Sequence, residues 1–437
     1  MLSMNLKFYN SRGTKPPMIS IPFDIPDVRV LNNQINDRGE LTITLESTQE
    51  GSKCRCCGRE ITAFHGHDDG ITLRHLSVLG RHTYARLHPK RYRCVHCTRR
   101  KKRKVTTTQQ LPWYKPKSPH TRDYEEHVLL QLVNSTIKDV SLKEGLSYDD
   151  VEGIVDRHIA TKVDWEEFQR LDVLGLDEIA LKKGHRNYVV IITARLRDGQ
   201  VKVLTVLPNR EKKTVKKFLR SIPQRLQDTI HTICTDMYQH YIDAIKEVWK
   251  DKVITNEIKI VVDRYHVAKN YRGCADKLRK KELGRLKKEL SEEEYKQLKG
   301  AMWPFRKQKD VLKSEDAVLL DRLFSYSPDL KLAHTFREEL TAIFEQQLTK
   351  EQATTEIKAW RKKVEESTLI CFDSFLTTLD NHLNEITNYF VNRDTSGFVE
   401  GLNNKIKVLK RRCYGIFNVA HLFQRIFIDL EGYRLFA

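Results

Sequence analysis

The stretch from Leu171 to Asp263 constrains the fold more than any other part of the chain. Leu171 to Leu176 is mostly apolar and ends at Asp177. YVVIITARL and VKVLTVL follow as two more β-rich runs, and the helix-forming EKKTVKKFLRSI leads into TIHTICTD. The helical YQHYIDAIKEVW and the apolar IKIVVD close the series. Short apolar runs rich in β-branched residues, bounded by Gly or charged turns, read as buried strands. Three strands, a helix, a strand, a helix and a strand make one α/β layer, with the first strand central and the fourth beside it. Asp177 and Asp236 are then delivered to one edge of the sheet.

This order is that of the ribonuclease H-like fold, which is the fold class expected for the core. A third acid, Glu400, lies far downstream in TSGFVEGLNNKIKVLKRR. There Val399, Leu402, Ile406, Leu409 and Cys413 recur at helical spacing and are expected to face the sheet. Glu400, Asn403, Asn404 and Lys407 share a neighbouring polar stripe, with Lys410, Arg411 and Arg412 beyond. One helix would thus carry a metal-binding carboxylate beside five residues suited to a DNA backbone: Asn403, Asn404, Lys407, Lys410 and Arg411. On pattern alone, a solvated surface acid explains Glu400 equally well. Acids gathered from distant segments are what a pair of divalent ions needs to cut a phosphodiester. Asp263 and His266, in VVDRYHVAKN, either orient a metal ligand from behind or cap a strand end. Glu178 is expected on the opposite strand face from Asp177, outside the acid set.

Charge points to a polyanionic partner. The 437 residues hold 77 Lys+Arg against 58 Asp+Glu, a difference of 77 − 58 = +19. Each phosphate contact made by such a chain releases condensed counterions. The mean hydropathy is −0.55, and no apolar run approaches the roughly 20 residues that span a bilayer. MLSMNLKFYNSRGTK lacks the apolar centre of a signal peptide. A cytoplasmic location with reduced thiols is therefore expected, and no membrane partner.

Five of nine cysteines fall between Cys54 and Cys97. Cys54 with Cys57 and Cys94 with Cys97 form two CxxC knuckles, the spacing that wraps a tetrahedral zinc. One structural Zn²⁺ is expected on these four, with Cys56 a spare outward thiol. His65, His67, His75, His82 and His96 could replace a ligand. Residues 27–48 alternate around Asn-Asp-Arg-Gly and read as a hairpin packed on the zinc module. Arg99, Arg100, Lys101, Lys102, Arg103 and Lys104 are six consecutive cations, expected as a solvated strip facing phosphates. HTRDYEEHVLLQLVN, TIKDVSLKEG and YDDVEGIVDRHI are helical, with a hinge at Gly145 and a Ser147–Asp150 capping box, and suggest a helix-turn-helix. Asp149, Asp150 and Glu152 at its final helix suit phosphates poorly.

From about 270 to 390 the sequence is charged and helix-forming, with helix starts at Ser291, Ser327 before Pro328, and Thr349. Trp303 there reads as a buried helical tryptophan, with stacking on an unpaired base as the alternative. The expected division is a hairpin and zinc module with its basic strip (1–110), a helix-turn-helix (111–168), the first part of a catalytic core (169–270), a helical insertion (271–390) and final core helices (391–437).

GLDEIALKKGH, CTDMY, VVDRYHVAKNY and above all SGFVEGLNNKIKVLKRRCYG resemble bacterial insertion-sequence transposases of the ISL-three family. The resemblance covers nearly the whole chain, CxxC pairs and helix-turn-helix included. It implies a DDE transposase with Asp177, Asp236 and Glu400 as its triad, holding two Mg²⁺ (or Mn²⁺) ions roughly 3.5–4 Å apart. Asp177 is then the acid that bridges both ions. The implied reaction is hydrolysis at transposon ends, then attack of the freed 3′-hydroxyl on target DNA. Implied partners are double-stranded DNA, as terminal inverted repeats and as target, and further copies of the chain, at least a dimer on DNA. The setting implied is the bacterial nucleoid. Two other classes share these features: a transposase-derived DNA-binding regulator without catalysis, and a two-metal nuclease on the same fold.

Overall fold

A computed structural model of the chain describes residues 2–6, 19–23, 25–181, 188–255, 257–307, 311–395 and 397–437. The chain divides into two compact units, residues 1–159 with 427–437, and residues 160–426. Among the described residues, no helix is long and apolar enough to cross a membrane.

In the first unit, β1 (Val28–Ile35) and β2 (Leu41–Ser47) form the expected hairpin around residues 36–40. Leu41, Ile43 and Leu45 of β2 alternate inward and are buried. The hairpin packs on the insert between the two CxxC pairs of the zinc module. It is extended by β3 (Ile71–Val78) and β4 (Arg81–Leu87), in the order β1-β2-β4-β3, with β2 and β4 parallel. Both added strands lie between the two CxxC pairs, so the long insert there supplies half of the hairpin's own sheet.

Three helices follow, α1 (Arg122–Leu132), α2 (Ile137–Glu144) and α3 (Tyr148–His158). Gly145 ends α2 at φ 65°, a conformation that costs glycine nothing. The Ser147–Asp150 capping box starts α3, as read from the sequence. Asp150 therefore satisfies the Ser147 amide, and both first-turn acids, Asp149 and Asp150, suit the dipole. Buried Glu125 of α1 joins the layout: it accepts from Arg157 Nε (3.0 Å), His158 Nε2 (2.6 Å) and Ser118 Oγ (2.7 Å). Burial works to raise the Glu125 pKa, and these donors together with His120 override it, holding the carboxyl well below its usual range.

The second unit is built on one five-stranded sheet. Its strands are β5 (Val173–Ala180), β6 (Tyr188–Arg195), β7 (Val201–Leu207), β8 (Thr232–Thr235) and β9 (Lys259–Val262). Their order is β7-β6-β5-β8-β9, antiparallel from β5 to β7 and parallel from β5 to β9. Helices α4 (Lys212–Ser221) and α5 (Gln239–Val248) connect them. Val189 to Ala194 are buried without a break, as in a strand covered on both faces.

After β9 the chain enters α6 (Arg264–Glu289) and further helices up to residue 392. The starts at Ser291, Ser327–Pro328 and Thr349 are where the sequence places them, with capping boxes at the first and third. These helices share one continuous core with the sheet, around buried Tyr241, Tyr271, Trp360 and Phe375. Trp303 differs from expectation, being 64% exposed. Its helix, Met302–Arg306, is so short that Pro304 and Phe305 fill the inward face.

Candidate active site and metal centre

Strand register brings the acids together. Gly175 of β5 pairs with Cys234 of β8, and Cys234 with Val261 of β9. Asp177, Asp236 and Asp263 each lie two residues further on, Asp177 within β5 and the other two just past the ends of β8 and β9. Neighbouring strands are about 4.8 Å apart. That edge, beyond the carboxyl ends of parallel strands, is where open α/β sheets bind their ligands.

The three acids are held differently. Asp177 Oδ1 accepts the Glu178 amide at 2.7 Å and lies 4.0 Å from His266 Nε2. Asp236 Oδ1 accepts the Tyr238 amide at 2.9 Å. Asp263, 4% exposed, caps α6 by accepting the Tyr265 amide at 2.7 Å, and so turns His266 toward Asp177. The Asp236 carboxyl is pushed up to about 6. Burial is the chief cause, opposed by the Tyr238 amide; the Glu178 and Asp177 carboxylates push the same way as burial, and His266 against it. Glu178, read from the sequence as facing away, thus acts on Asp236 more strongly than Asp177 does. Its carboxylate lies 3.2 Å from Arg210 Nη1.

The last core helix, α7 (Gly397–Arg412), is tied along β5 at three points. Just before it, Asp394 binds Arg195 and accepts from Thr232 Oγ1 at 2.9 Å, and both of those residues pair with Val173 at the start of β5. The Asn403 amide then donates to Asp177 Oδ2, and Lys410 Nζ donates to the Ala180 carbonyl. Seven helical residues rise about 10 Å, and three strand residues about the same. Helix and strand therefore run side by side in the same direction. Glu400 lies on this helix one turn before Asn403, and its side chain is outside the described residues.

Several expected DNA contacts are engaged within the protein. Asn403 is 5% exposed, and Lys410 is half-buried on a backbone carbonyl. Asn404, Lys407 and Arg411 are exposed, as are all six residues from Arg99 to Lys104. Sequence reading missed Glu178 and Arg210, because their pairing joins a strand to a loop 32 residues away. It also missed Asn403 as a partner of Asp177.

This edge fits hard divalent cations. Two carboxylates and Glu178 crowd it, and buried Asn403 Oδ1 has no hydrogen-bond partner among the described residues. Carboxylate and amide oxygens are the donor type that Mg²⁺ or Mn²⁺ takes.

The cysteine cluster is a second centre. The sulfurs of Cys54, Cys57, Cys94 and Cys97 all lie within 4.8 Å of one another. Cys54 and Cys97 are 3.9 Å apart, and Cys57 and Cys94 3.8 Å. Tetrahedral zinc with bonds of about 2.3 Å sets sulfurs about 3.8 Å apart. Cys94 also starts the helix Val95–Lys101, which presents Cys97 inward and Arg99, Arg100 and Lys101 outward. Cys56 is exposed, as expected. No histidine belongs to the cluster among the described residues.

A transposase family model matches residues 174–426, more than half of the chain. The chain belongs to the ISL3 family of DDE transposases. The helix-turn-helix domain of the same family matches residues 109–159, which contain α1 to α3. The chain is 25% identical over 304 residues to the transposase for insertion sequence element IS1001 of Bordetella parapertussis, covering 69% of this chain and 71% of that one. It is 22% identical over 342 residues to the transposase for IS1557 of Mycobacterium tuberculosis, covering 75% and 76%. Among solved structures, the Drosophila P element transposase strand transfer complex aligns with a TM-score of 0.41 and 11% identity, over 70% of this chain and 92% of that one.

Proposed function

We propose that this chain is the transposase of an insertion sequence. It binds the element's ends, hydrolyses a strand there and joins the freed 3′-hydroxyl to target DNA, in a metal-dependent reaction on a ribonuclease H-like core. Asp177, Asp236 and Glu400 form the triad, and the four-cysteine cluster holds one structural zinc. The observation that carries this reading is the placement of Asp177 and Asp236 two residues beyond the paired Gly175 and Cys234 of adjacent parallel strands, with Asn403 of the Glu400 helix bonded to Asp177. The strand order β7-β6-β5-β8-β9 supports the core assignment.

Two Mg²⁺ ions bound at this edge would supply Lewis-acid stabilisation of the charge that develops on the attacking and leaving oxygens of a phosphodiester. Asp177, Asp236 and Glu400 would hold them. The remaining residues position those ligands. Asn403 fixes one Asp177 oxygen, and Asp263 sets the start of α6 so that His266 stands beside the other. Asp236 must be deprotonated to serve, and its raised pKa sets an acid limit to the reaction.

The division made from the sequence is kept as the functional one up to residue 426: zinc module to 110, helix-turn-helix to 168, and a core split by the insertion at 271–390; residues 427–437, read as core, instead belong to the first unit, where Ile428 joins the helix-turn-helix core. Joining two ends to a target requires at least two copies of the chain on DNA.

The test uses full-length protein, labelled element ends, a target plasmid and Mg²⁺. Wild type should nick the ends and give joined products, whereas Asp236→Asn should bind the ends normally and cut nothing. Nicking retained by Asp236→Asn would overturn the triad. Cleavage without joining would leave a nuclease, and binding without either a regulator.

A further inference from the structure

Arg210 is held at the acid edge by three side chains. Its guanidinium lies 4.7 Å from the ring centres of both Tyr188 and Tyr238, and Nη1 is 3.2 and 3.3 Å from the Glu178 oxygens. Tyr238 in turn gives its amide to Asp236. An open cleft of about 440 Å³ lies here, lined by Tyr188, Asn209, Arg210, Glu211, Lys212, Tyr238 and His240. Lys212 also lines the next groove, of about 670 Å³, along the outer side of α4. That groove holds Lys212, Lys213, Lys216, Lys217 and Arg220 against the single acid Glu247. Glu247 pairs with Lys212 and Lys216. Lys213, Lys217 and Arg220 are exposed, with no ion pair among the described residues.

A solvated helix face would not be built this way. Lys212 and Lys216, Lys213 and Lys217, and Lys216 and Arg220 are like-charge pairs four apart, each unfavourable on an isolated helix. Lys212 and Lys213 stand in the first turn, where the helix dipole favours acids, and the acid at that end is Glu211 at the N-cap, which makes no capping hydrogen bond. The other side of α4 is ordinary core, through Val215 and Leu219. A polyanion offsets both costs. Ten residues of helix span about 15 Å, the length of about four phosphates along one DNA strand.

From this charge complementarity and the continuity with the acid edge, we infer that Arg210 and the basic face of α4 form a track for the backbone of the transposon-end duplex beside its scissile phosphate. The inference rests on the cutting role proposed for the Asp177–Asp236 edge, because the strand cut there is the one that continues past Arg210 onto α4. Rigidly held Arg210 receives the phosphate nearest the cut, and Lys213, Lys217 and Arg220 those further out.

Binding measured in EDTA separates this from the chemistry. Affinity of the full-length protein for an end-containing duplex is followed against salt, for wild type and for the triple variant Lys213→Gln, Lys217→Gln, Arg220→Gln. Each lost phosphate contact lowers the log–log slope by about 0.9, so the triple variant should lose about 2.7. Arg210→Gln, made alone, should lose about 0.9. A circular-dichroism melt serves as the folding control, and the triple variant should melt no lower than wild type. An unchanged slope in both variants would overturn the track. So would an unchanged end-binding slope with loss confined to joining of pre-cleaved ends to a plasmid, which would give the face to target DNA. A lowered slope in a protein that never cuts DNA keeps the track and sinks the proposed chemistry.

Discussion

Asp236 shows how one residue is set by its surroundings. Its carboxyl is raised from 3.8 to about 6, first by burial, then by Glu178 and Asp177. A cation must displace the proton, so metal affinity should fall as pH drops through about 6, by up to tenfold per pH unit below it. Calorimetric Mn²⁺ titrations between pH 5 and 7.5 would show this. Glu178→Gln removes one of the carboxylates that raise Asp236, so its acid limb should move to lower pH. A limb that stays in place would remove Glu178 from the account. The stability sign is the reverse of that for a salt-bridged acid. The folded pKa exceeds the unfolded one, so the stabilising contribution is complete below pH 3.8 and lost as pH rises through about 6. Without metal at pH 7.5, Asp236→Asn should therefore be more stable than wild type, by as much as about 3 kcal/mol.

At the scale of elements, the sequence read best where periodicity and capping are local. The α3 capping box and the helix starts at Ser291, Ser327 and Thr349 stand where the pattern put them, and Leu402, Ile406 and Leu409 of α7 are buried as their spacing predicts. The polar stripe of α7 was harder to read, because helical spacing gives a side chain's angle and not its neighbour. Asn403 and Asn404 are adjacent, yet one is buried on Asp177 and the other exposed. Asn403→Ala should leave end binding intact and slow single-turnover cleavage by about 10–100-fold, the usual effect of removing the partner that orients a metal ligand. Equal loss of binding and cleavage would make Asn403 merely structural.

For the whole molecule, the two units rest on different supports. The unit of residues 160–426 has one large continuous core. Around the cysteine cluster, the buried apolar residues besides the cysteines are Ile61, Tyr92 and Val105. So small a cluster would depend on the proposed zinc for order. Treatment with a thiol-reactive mercurial and a chelator should release one zinc per chain and lower the melting of the cysteine-bearing unit. The melting of the α/β unit should be unaffected. A melt that does not change on zinc release would show the cluster to be dispensable for folding.

The sequence by itself determined what depends on neighbours along the chain: the strand and helix order of the core, the capped helices, the CxxC pairs and the presence of acids at strand ends. Tertiary structure alone decided which side chains meet across that order. It bonded Asn403 to Asp177, brought Glu178 close enough to raise Asp236, set Arg210 between two tyrosines and joined the insert between the cysteine pairs to the hairpin sheet. The physical reason is range. Period, propensity and capping act within a few residues, whereas these contacts join positions 22 to 226 residues apart and exist only once strand register has been chosen.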